Sequence, residues 1–385
     1  MDLRRLADQT AHAAARKRER RRTRVGLRHP GKVIAARRRR TGTSVLILRE
    51  IAEKDLDDLV SLAEQLDSMN LPRNPEFLAE RIARSRRSFG KQRDDWRERI
   101  YVFALEDTET GRCIGTSTIL AKHGRPGLPY FWLAVTTEER RSAELDRRFV
   151  HKKLQLHSTE DGPTEIGGII LEPAYRGHPS KCGKALSIVR FSYISLYPER
   201  FEREVIAEML SPFEAPGKNL LWDAFGAQFT GIPYREADHL SARSKQFIAD
   251  LFPRDPVYTT LFPPEVQAVI GQPNETAVAA LRILEKIGFR PLDQVDPFDG
   301  GPYVGAAREA ITSVRERRRL VLPGLPLESL EPAGGILALV SAEGRHGFRA
   351  TAVPLDAEGG PLISAACRDA LGVGAGDSVL VTPLP

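Results

Sequence analysis

The sequence predicts an α+β fold, a mixed central sheet flanked by helices. Three observations carry that expectation. Alternating, β-branched runs are interleaved with segments of helical spacing. A central stretch reads strand, loop, helix, strand, the crossover unit of a mixed sheet. Short strand-like runs close the chain after a Pro- and Gly-rich passage. At 385 residues the chain can bury one large or two ordinary cores, and 41% hydrophobic with 28% charged residues is the balance of a packed globular protein.

Taken in order, SVLILREI from Ser44 alternates and predicts a first strand. EKDLDDLVSLAEQL then places Leu56, Leu59, Val60, Leu62 and Leu66 near helical spacing, and PEFLAERIARSRRSF predicts a second helix. RIYVFALE and CIGTSTILA, separated by the turn-rich DTETGR, predict a hairpin. From Ala121 to Thr164 the pattern is poor, and the expectation is one strand followed by an irregular, mobile connection.

TEIGGIILEP, the loop YRGHPSKCGKA, ALSIVRFSYISLY and REVIAEML form the crossover unit. LLWDAFGAQFTGIPYREAD and AALRILEKIGFRPLDQVD each read as helix, turn, strand, a candidate duplicated closing unit. After Arg319, LPGLPLESLEPAGG reads as a linker, and GILALV, GFRATAVPL and SVLVTPL as strands of a small appendage. The expected organisation is a basic, disordered extension at 1–43, a core at 44–319 and a small β-rich C-terminal domain at 320–385.

Charge is concentrated in one place. Residues 1–43 hold 15 of the 57 basic residues and three of the 51 acidic ones, so 42 and 48 remain for the body, which is net acidic. The body therefore gives no reason to expect nucleic acid, and only the arginine-rich head, with runs at Arg16–Arg24 and Arg37–Arg40, offers an arm for anionic surfaces. Cys113, Cys182 and Cys367 lie far apart and match neither a disulfide framework nor a metal spacing, which points to a reducing cytoplasm. No run has the roughly 18 apolar residues of a membrane span. His123, His151, His157, His178, His239 and His346 form no pair at metal-ligand spacing, so no metal is expected.

The loop of the crossover unit carries the first candidate chemistry. Arg176, Gly177, Gly183, Lys184 and Ala185 stand between a buried strand and a helix. Backbone N–H groups at such a bend can turn toward a pyrophosphate, and the positive end of the helix dipole adds attraction. An acyl-CoA is a ligand such a site would hold. The rival reading of the same residues is an ordinary Gly-containing turn. Cys182 reads as a loop filler, because no histidine base is placed beside it.

Read with its neighbours, the loop resembles that of the GNAT acyltransferase superfamily, and within it the arginine N-succinyltransferase family. The stretches that carry the likeness are YVFALEDTETG, LEPAYR, RFSYI, ERFEREVIAEM, WDAFGAQF, READHL, KQFIADLFPRDPVY, VIG, LEKIGF and FDGGP, spread in order from about residue 44 onward. The resemblance implies succinyl transfer from succinyl-CoA to the α-amino group of arginine or a similar small amine, without a covalent enzyme intermediate and in a homo- or hetero-oligomer. It also implies that the strand through Ile169, Ile170 and Leu171 runs against the pantetheine arm.

Glu165 and Glu208 match family positions, where a strand-end carboxylate would draw a proton from the amine through water. Tyr193 and Tyr234 are candidate acids for the thiolate. Asp299, in FDGGP, becomes a wall of the substrate cleft. The sequence also departs from the family. The histidine that the family carries shortly after VIG is here Pro273 or Asn274, with Glu275 beside it as a substitute proton relay. A second family histidine corresponds to Asp255, a candidate for holding a cationic substrate; Leu210 replaces an arginine, and Asn219, Leu220 and Leu221 replace Ser-Pro-Phe. Two functions follow from this: an active N-acyltransferase, or a CoA-binding paralogue that serves as a partner subunit.

Overall fold

The structure, a computed structural model, describes residues 45–64, 74–90, 95–215, 217–241, 244–324 and 335–385. The basic head, Leu66 and most of the Pro- and Gly-rich passage lie outside the described residues. Strand β1 (Leu46–Glu50) leads into α1 (Leu56–Glu64) and α2 (Pro75–Phe89), followed by the hairpin β2 (Ile100–Asp107) and β3 (Arg112–Leu120). A second hairpin, β4 (Tyr130–Ser142) and β5 (Arg147–Thr159), precedes the crossover unit β6 (Thr164–Leu171), α3 (Cys182–Leu196) and β7 (Glu204–Glu208). A π-helical turn at Trp222–Gly226 continues into α4 (Ala227–Thr230), α5 (Tyr234–Ser241) and α6 (Gln246–Leu251). Next come β8 (Val257–Tyr258), α7 (Pro264–Val269), α8 (Glu275–Lys286), β9 (Arg290–Val295) and β10 (Pro302–Ala307). The chain closes with α9 (Thr312–Arg315), β11 (Arg318–Val321), β12 (Leu337–Gly344), β13 (Gly347–Pro354), α10 (Ala365–Leu371) and β14 (Ser378–Pro383).

The strands form one sheet in the order β11-β14-β12-β13-β1-β2-β3-β6-β7-β10-β9-β4-β5-β8. Among the described strands only β6 and β7 pair in parallel. This is the α+β, mixed-sheet architecture that the residue pattern predicts. One face is covered by α1 and α2, whose Leu59, Leu62, Leu78 and Ile82 pack on Val102, Ala104, Cys113 and Ile170. The other is covered by α3, whose Leu186, Val189 and Phe191 pack with Phe103, Ile166, Val205, Ala207 and Val304. Each such side chain, fully buried, contributes roughly 1.5–3 kcal/mol. α2 begins at Asn74, whose side chain accepts from the N–H groups of Glu76 at 2.9 Å and Phe77 at 3.3 Å, with Pro75 in the first turn.

Two irregularities in β6 shape the centre of the sheet. Against β3 the register moves from Thr118↔Gly167 to Thr116↔Ile170, so β6 spends three residues where β3 spends two. That bulge reverses the faces: Ile166 points to α3, and Ile170 to α1 and α2. Gly168 takes φ +59° there, and a Cβ on it would meet Thr118 Oγ1 at 2.6 Å, so the position requires glycine. On its other side β6 pairs with β7 only at Thr164↔Val205 and Glu165↔Ile206. Beyond Glu165 the two strands part, and Gly168 is exposed although its strand lies mid-sheet.

Two expectations change. Residues 121–164 do not hold an irregular connection but the regular β4–β5 hairpin. Its outer half buries neither face, so no alternation marks it in the sequence; cross-strand ion pairs such as Arg148–Glu139 at 2.6 Å and Lys153–Glu138 at 2.9 Å join the strands instead. The closing unit is not duplicated. Residues 279–296 do form helix, turn and strand, but 234–241 form α5, because Tyr234 and Ala237, three apart, turn together into the core of Trp222 and Phe225. Residues 320–385 form an apolar cluster of their own, Val340, Val353, Leu371 and Val381 with Ile47, and their β13 extends the sheet by pairing with β1 at Leu48↔Ala350.

Candidate active site

The parted strands place two carboxylates on one face. Glu165 stands opposite Ile206, Glu208 follows two residues on, and Tyr303 of β10 lies opposite Glu208. The alternate residues Ile166, Val205 and Ala207 belong to the core beneath α3. The glutamates therefore face the other way, toward a floor of Tyr130, Ile206 and Tyr303 edged by Trp132.

The turn between β9 and β10 adds two more acids. Asp296 Oδ1 accepts from the N–H groups of Phe298 at 2.7 Å and Asp299 at 3.0 Å. Asp299 in turn accepts from Gly301 at 2.6 Å and Ser211 at 3.2 Å. The turn chemistry expected of FDGGP is present, and it holds both carboxylates in place. One oxygen each of Glu208, Asp296 and Asp299 lies within 4.8 Å of the others. The Tyr303 hydroxyl sits 3.3 Å from Glu208 Oε2 and 3.4 Å from Asp296 Oδ2. Asn219, one of the departures from the family pattern, braces the turn by donating to the Asp299 carbonyl at 3.0 Å.

This crowding alters the proton affinity of each acid. Burial, then the charges of Asp296, Asp299 and Glu165, hold Glu208 well above the usual carboxylate range. Burial and the Asp296 charge push Asp299 up to about 7. Asp296 is also raised by burial, against the opposing pull of Lys245 and two backbone N–H groups. Glu165 behaves differently: burial pushes it up, but the adjoining His123, together with the charges of Lys245 and Arg81, leaves it below the ordinary value. The site is thus deficient in positive charge, and a compact or planar cation fits its chemistry.

Across the sheet the chemistry has the opposite sign. α3 begins after Lys181, which takes the left-handed conformation and gives no side-chain cap. The first helical bond runs from Ala185 N to Lys181 O, so the amides of Cys182, Gly183 and Lys184 precede the helical ladder. A Cβ at Gly177 or Gly183 would meet nothing within 4 Å, so the bend is open. Lys184 is lowered by burial and by the charges of Lys286 and Lys181, which places three ammonium groups around the helix mouth; its Nζ also donates to the Pro385 carbonyl. Arg176 is exposed beside them and Ala185 is buried. Cys182 is buried, and burial pushes its thiol up to about 11, the environment of a packing residue and not a nucleophile.

The structure brings Glu165, Glu208 and Asp299 to one place and adds Asp296, His123, Tyr130 and Tyr303. Ile169 and Leu171 lean on the α3 core, while their strand edge faces the gap. Other expected groups stand outside the acid cluster, although Asn274 N donates to the Leu210 carbonyl at 2.8 Å, two residues beyond Glu208. Asn274 is the N-cap of α8, its Oδ1 accepting from Ala277 N at 2.8 Å, and Glu275 is exposed in the first turn. Asp255 is exposed between α6 and β8. Tyr193 is 2% exposed within a cluster of rings and accepts from Arg200. Tyr234 is 3% exposed against Trp222. Tyr193 is packed away from the acid cluster, whereas Tyr234 is raised by burial and then by the charges of Asp299, Asp238 and Asp296, and so lies within the cluster's field. Asp296 had a readable signal, a second aspartate three residues before Asp299 in one turn; His123 had none beyond its residue type.

The model of the arginine N-succinyltransferase beta subunit matches residues 46–313, and that of its C-terminal domain matches residues 318–383. The chain belongs to the arginine N-succinyltransferase beta subunit family. An arginine N-succinyltransferase of Yersinia pseudotuberculosis is 33% identical over 344 residues, covering 88% of this chain and 97% of the relative. One from Salmonella arizonae is 33% identical over 345 residues with the same coverage. Among solved structures, the arginine/ornithine succinyltransferase subunit AI of Pseudomonas aeruginosa aligns with a TM-score of 0.74 and 26% identity, over 89% of this chain and 99% of that one. No helix among the described residues is long and apolar enough to cross a membrane.

Proposed function

We propose that this chain transfers a succinyl group from succinyl-CoA to the α-amino group of arginine. One observation carries the reading: the sheet parts beyond Glu165, with an open, basic helix mouth on one side and a cluster of acids on the other. The coenzyme's diphosphate would lie at the amides of Cys182, Gly183 and Lys184, near Arg176, Lys181 and Lys286. Its pantetheine arm would extend along the unpaired edge of β6 from Ile169 to Leu171, as an added strand does at a sheet edge. The thioester would then reach the gap, where backbone N–H groups freed by the bulge polarise its carbonyl.

The acceptor enters from the acidic face. Asp296 and Asp299 suit a guanidinium, which presents a planar set of donors to carboxylate oxygens. Glu208 and Glu165, nearer the parting of the strands, suit the α-ammonium. The amine nitrogen bonds to the thioester carbon, the carbon–sulfur bond breaks, and sulfur leaves with its electron pair. That the relatives named above are arginine or arginine/ornithine succinyltransferases supports both the donor and the acceptor.

A second reading is a CoA-binding partner subunit without chemistry. It is favoured by Asn274, which caps α8 where the family's pattern implies a histidine proton donor. One assay separates the two: incubate the full chain with succinyl-CoA or acetyl-CoA and arginine or ornithine, and follow free thiol. Thiol release that requires both substrates is expected. Calorimetric binding of succinyl-CoA with no thiol above background for any pair would leave only the partner-subunit reading.

A further inference from the structure

We infer that His123 is the catalytic imidazole of this site, accepting a proton from the attacking amine. The inference rests on the succinyltransferase reading, and three observations bear on it. First, His123 stands where the strands begin to part. It follows β3, and its N–H donates to the Pro163 carbonyl at 2.7 Å, immediately before β6.

Second, the ring is held from two sides. Nδ1 is buried against Glu165 Oε2, and the ring lies 4.5 Å, centroid to centroid, from Tyr130. The side chain keeps 14% exposure although Nδ1 has none. A carboxylate on Nδ1 fixes the ring's orientation and leaves Nε2 as the nitrogen that exchanges a proton with the substrate. The groups facing this pair are Tyr130 from β4, Glu165 from β6 and Asp296 from the β9–β10 turn, with the charges of Lys245 and Arg81 acting on Glu165. Glu208 lies within the same field.

Third, the position that resembles the family's histidine is occupied by a residue with another task. Asn274 Oδ1 accepts from Ala277 N and from Thr276 Oγ1, both at 2.8 Å. The other imidazole in this row of rings, His157, stacks on Trp132 at 5.6 Å and is exposed. His123 is the one in contact with a site carboxylate.

The step balances as follows. An ammonium that becomes an amide nitrogen loses two protons. One passes to His123 Nε2, freeing the lone pair that forms the N–C bond. The other leaves as the tetrahedral intermediate collapses and the C–S bond breaks. The departing sulfur takes up one proton, from the imidazolium, and the second goes to solvent.

The test is His123→Gln in the full chain, with kcat and KM measured across pH and both substrates titrated by calorimetry. The expected result is a fall in kcat of about 10²- to 10⁴-fold with loss of the wild-type pH dependence of kcat, while both dissociation constants stay within about threefold. Glu165→Gln, the positioning residue, should lower kcat less and displace that pH dependence. A His123→Gln protein with wild-type kcat and an unchanged pH profile overturns the inference. If that variant does not fold, acylation of wild-type histidines by diethylpyrocarbonate decides: inactivation should track modification of His123 and slow when arginine is bound, and an active protein modified at His123 sinks the idea. Wild type that releases no thiol removes the succinyltransferase reading itself. Wild type that turns over beside an equally active His123→Gln removes this inference alone.

Discussion

The two faces of the parted strands solve opposite problems. On the α3 side, one continuous stretch from Thr164 to Ala185 lays down a free strand edge, a bulge and an open helix mouth, where the contacts proposed for the coenzyme are main-chain amides and lysines. On the other side, Glu165, Glu208, Asp296, Asp299, Tyr130, Tyr303 and His123 come from four strands, a turn and a loop, and side chains make the site. The contrast teaches how one sheet can sort two substrates: under the proposed reading, an anionic coenzyme and a cationic amine are each drawn to the side of complementary charge and reach the gap from opposite directions.

The largest expected effect comes from removing charge on the acidic side. Glu208→Gln should lower kcat/KM for arginine by about 30- to 5,000-fold, since losing one partner of a buried charge pair costs roughly 2–5 kcal/mol. Succinyl-CoA binding, followed by calorimetry, should be unaffected. A variant impaired for the coenzyme and not for arginine would invert the assignment of the two faces.

Next is the bulge that both faces share. Gly168→Ala sets a Cβ against Thr118 at a φ that an alanine rarely adopts, and urea unfolding should show a loss of about 1–3 kcal/mol. A neutral result would mean that the bulge is not fixed by steric contact. On the basic side, Lys184→Glu should raise KM for succinyl-CoA roughly tenfold, an effect of about 1.4 kcal/mol, with KM for arginine unchanged. Equal changes in both would show that the faces are not independent.

The smallest effect is in pH. Because Asp299 is raised to about 7 and Asp296 and Glu208 are raised as well, the folded, ligand-free protein holds protons that the unfolded chain has released. That contribution to stability is fully present below the unfolded carboxylate range and fades as pH rises through about 7. Thermal unfolding without ligand should therefore give a lower Tm at pH 8 than at pH 5.5. Arginine affinity should run the other way and strengthen roughly fivefold from pH 6 to 8, as the acids shed protons to meet a cation. An Asp299→Asn variant should flatten both trends, and flat trends in the wild type would show that the cluster is already ionised.

The same contrast explains what could be read from the residues. The coenzyme side was legible because a strand, a bend and a helix that follow one another in sequence announce themselves by local period and by Gly177 and Gly183. Glu165 and Glu208 could be named, but their meeting with Asp296 depends on β10 lying beside β7, a register that no local pattern encodes. His123 sits in a stretch without periodicity, in a region expected to be irregular. The β4–β5 hairpin was missed for a related reason: its outer half is exposed on both sides, and a strand with no buried face leaves no alternation. In α5, Tyr234 and Ala237 pattern as strand in the sequence, and only the buried cluster they share with Trp222 and Phe225 favours the helix.

The pairing of β1 with β13 sets a schedule for biosynthesis. Residues 46–50 lie between β2, about fifty residues away, and β13, about three hundred residues away. At translation rates of roughly 5–20 residues per second, the outer rim of that first strand waits some 15–60 s for its neighbour to emerge. During that interval the nascent protein displays an unmatched β edge at its amino-terminal side, a template for another unfinished copy on the same message.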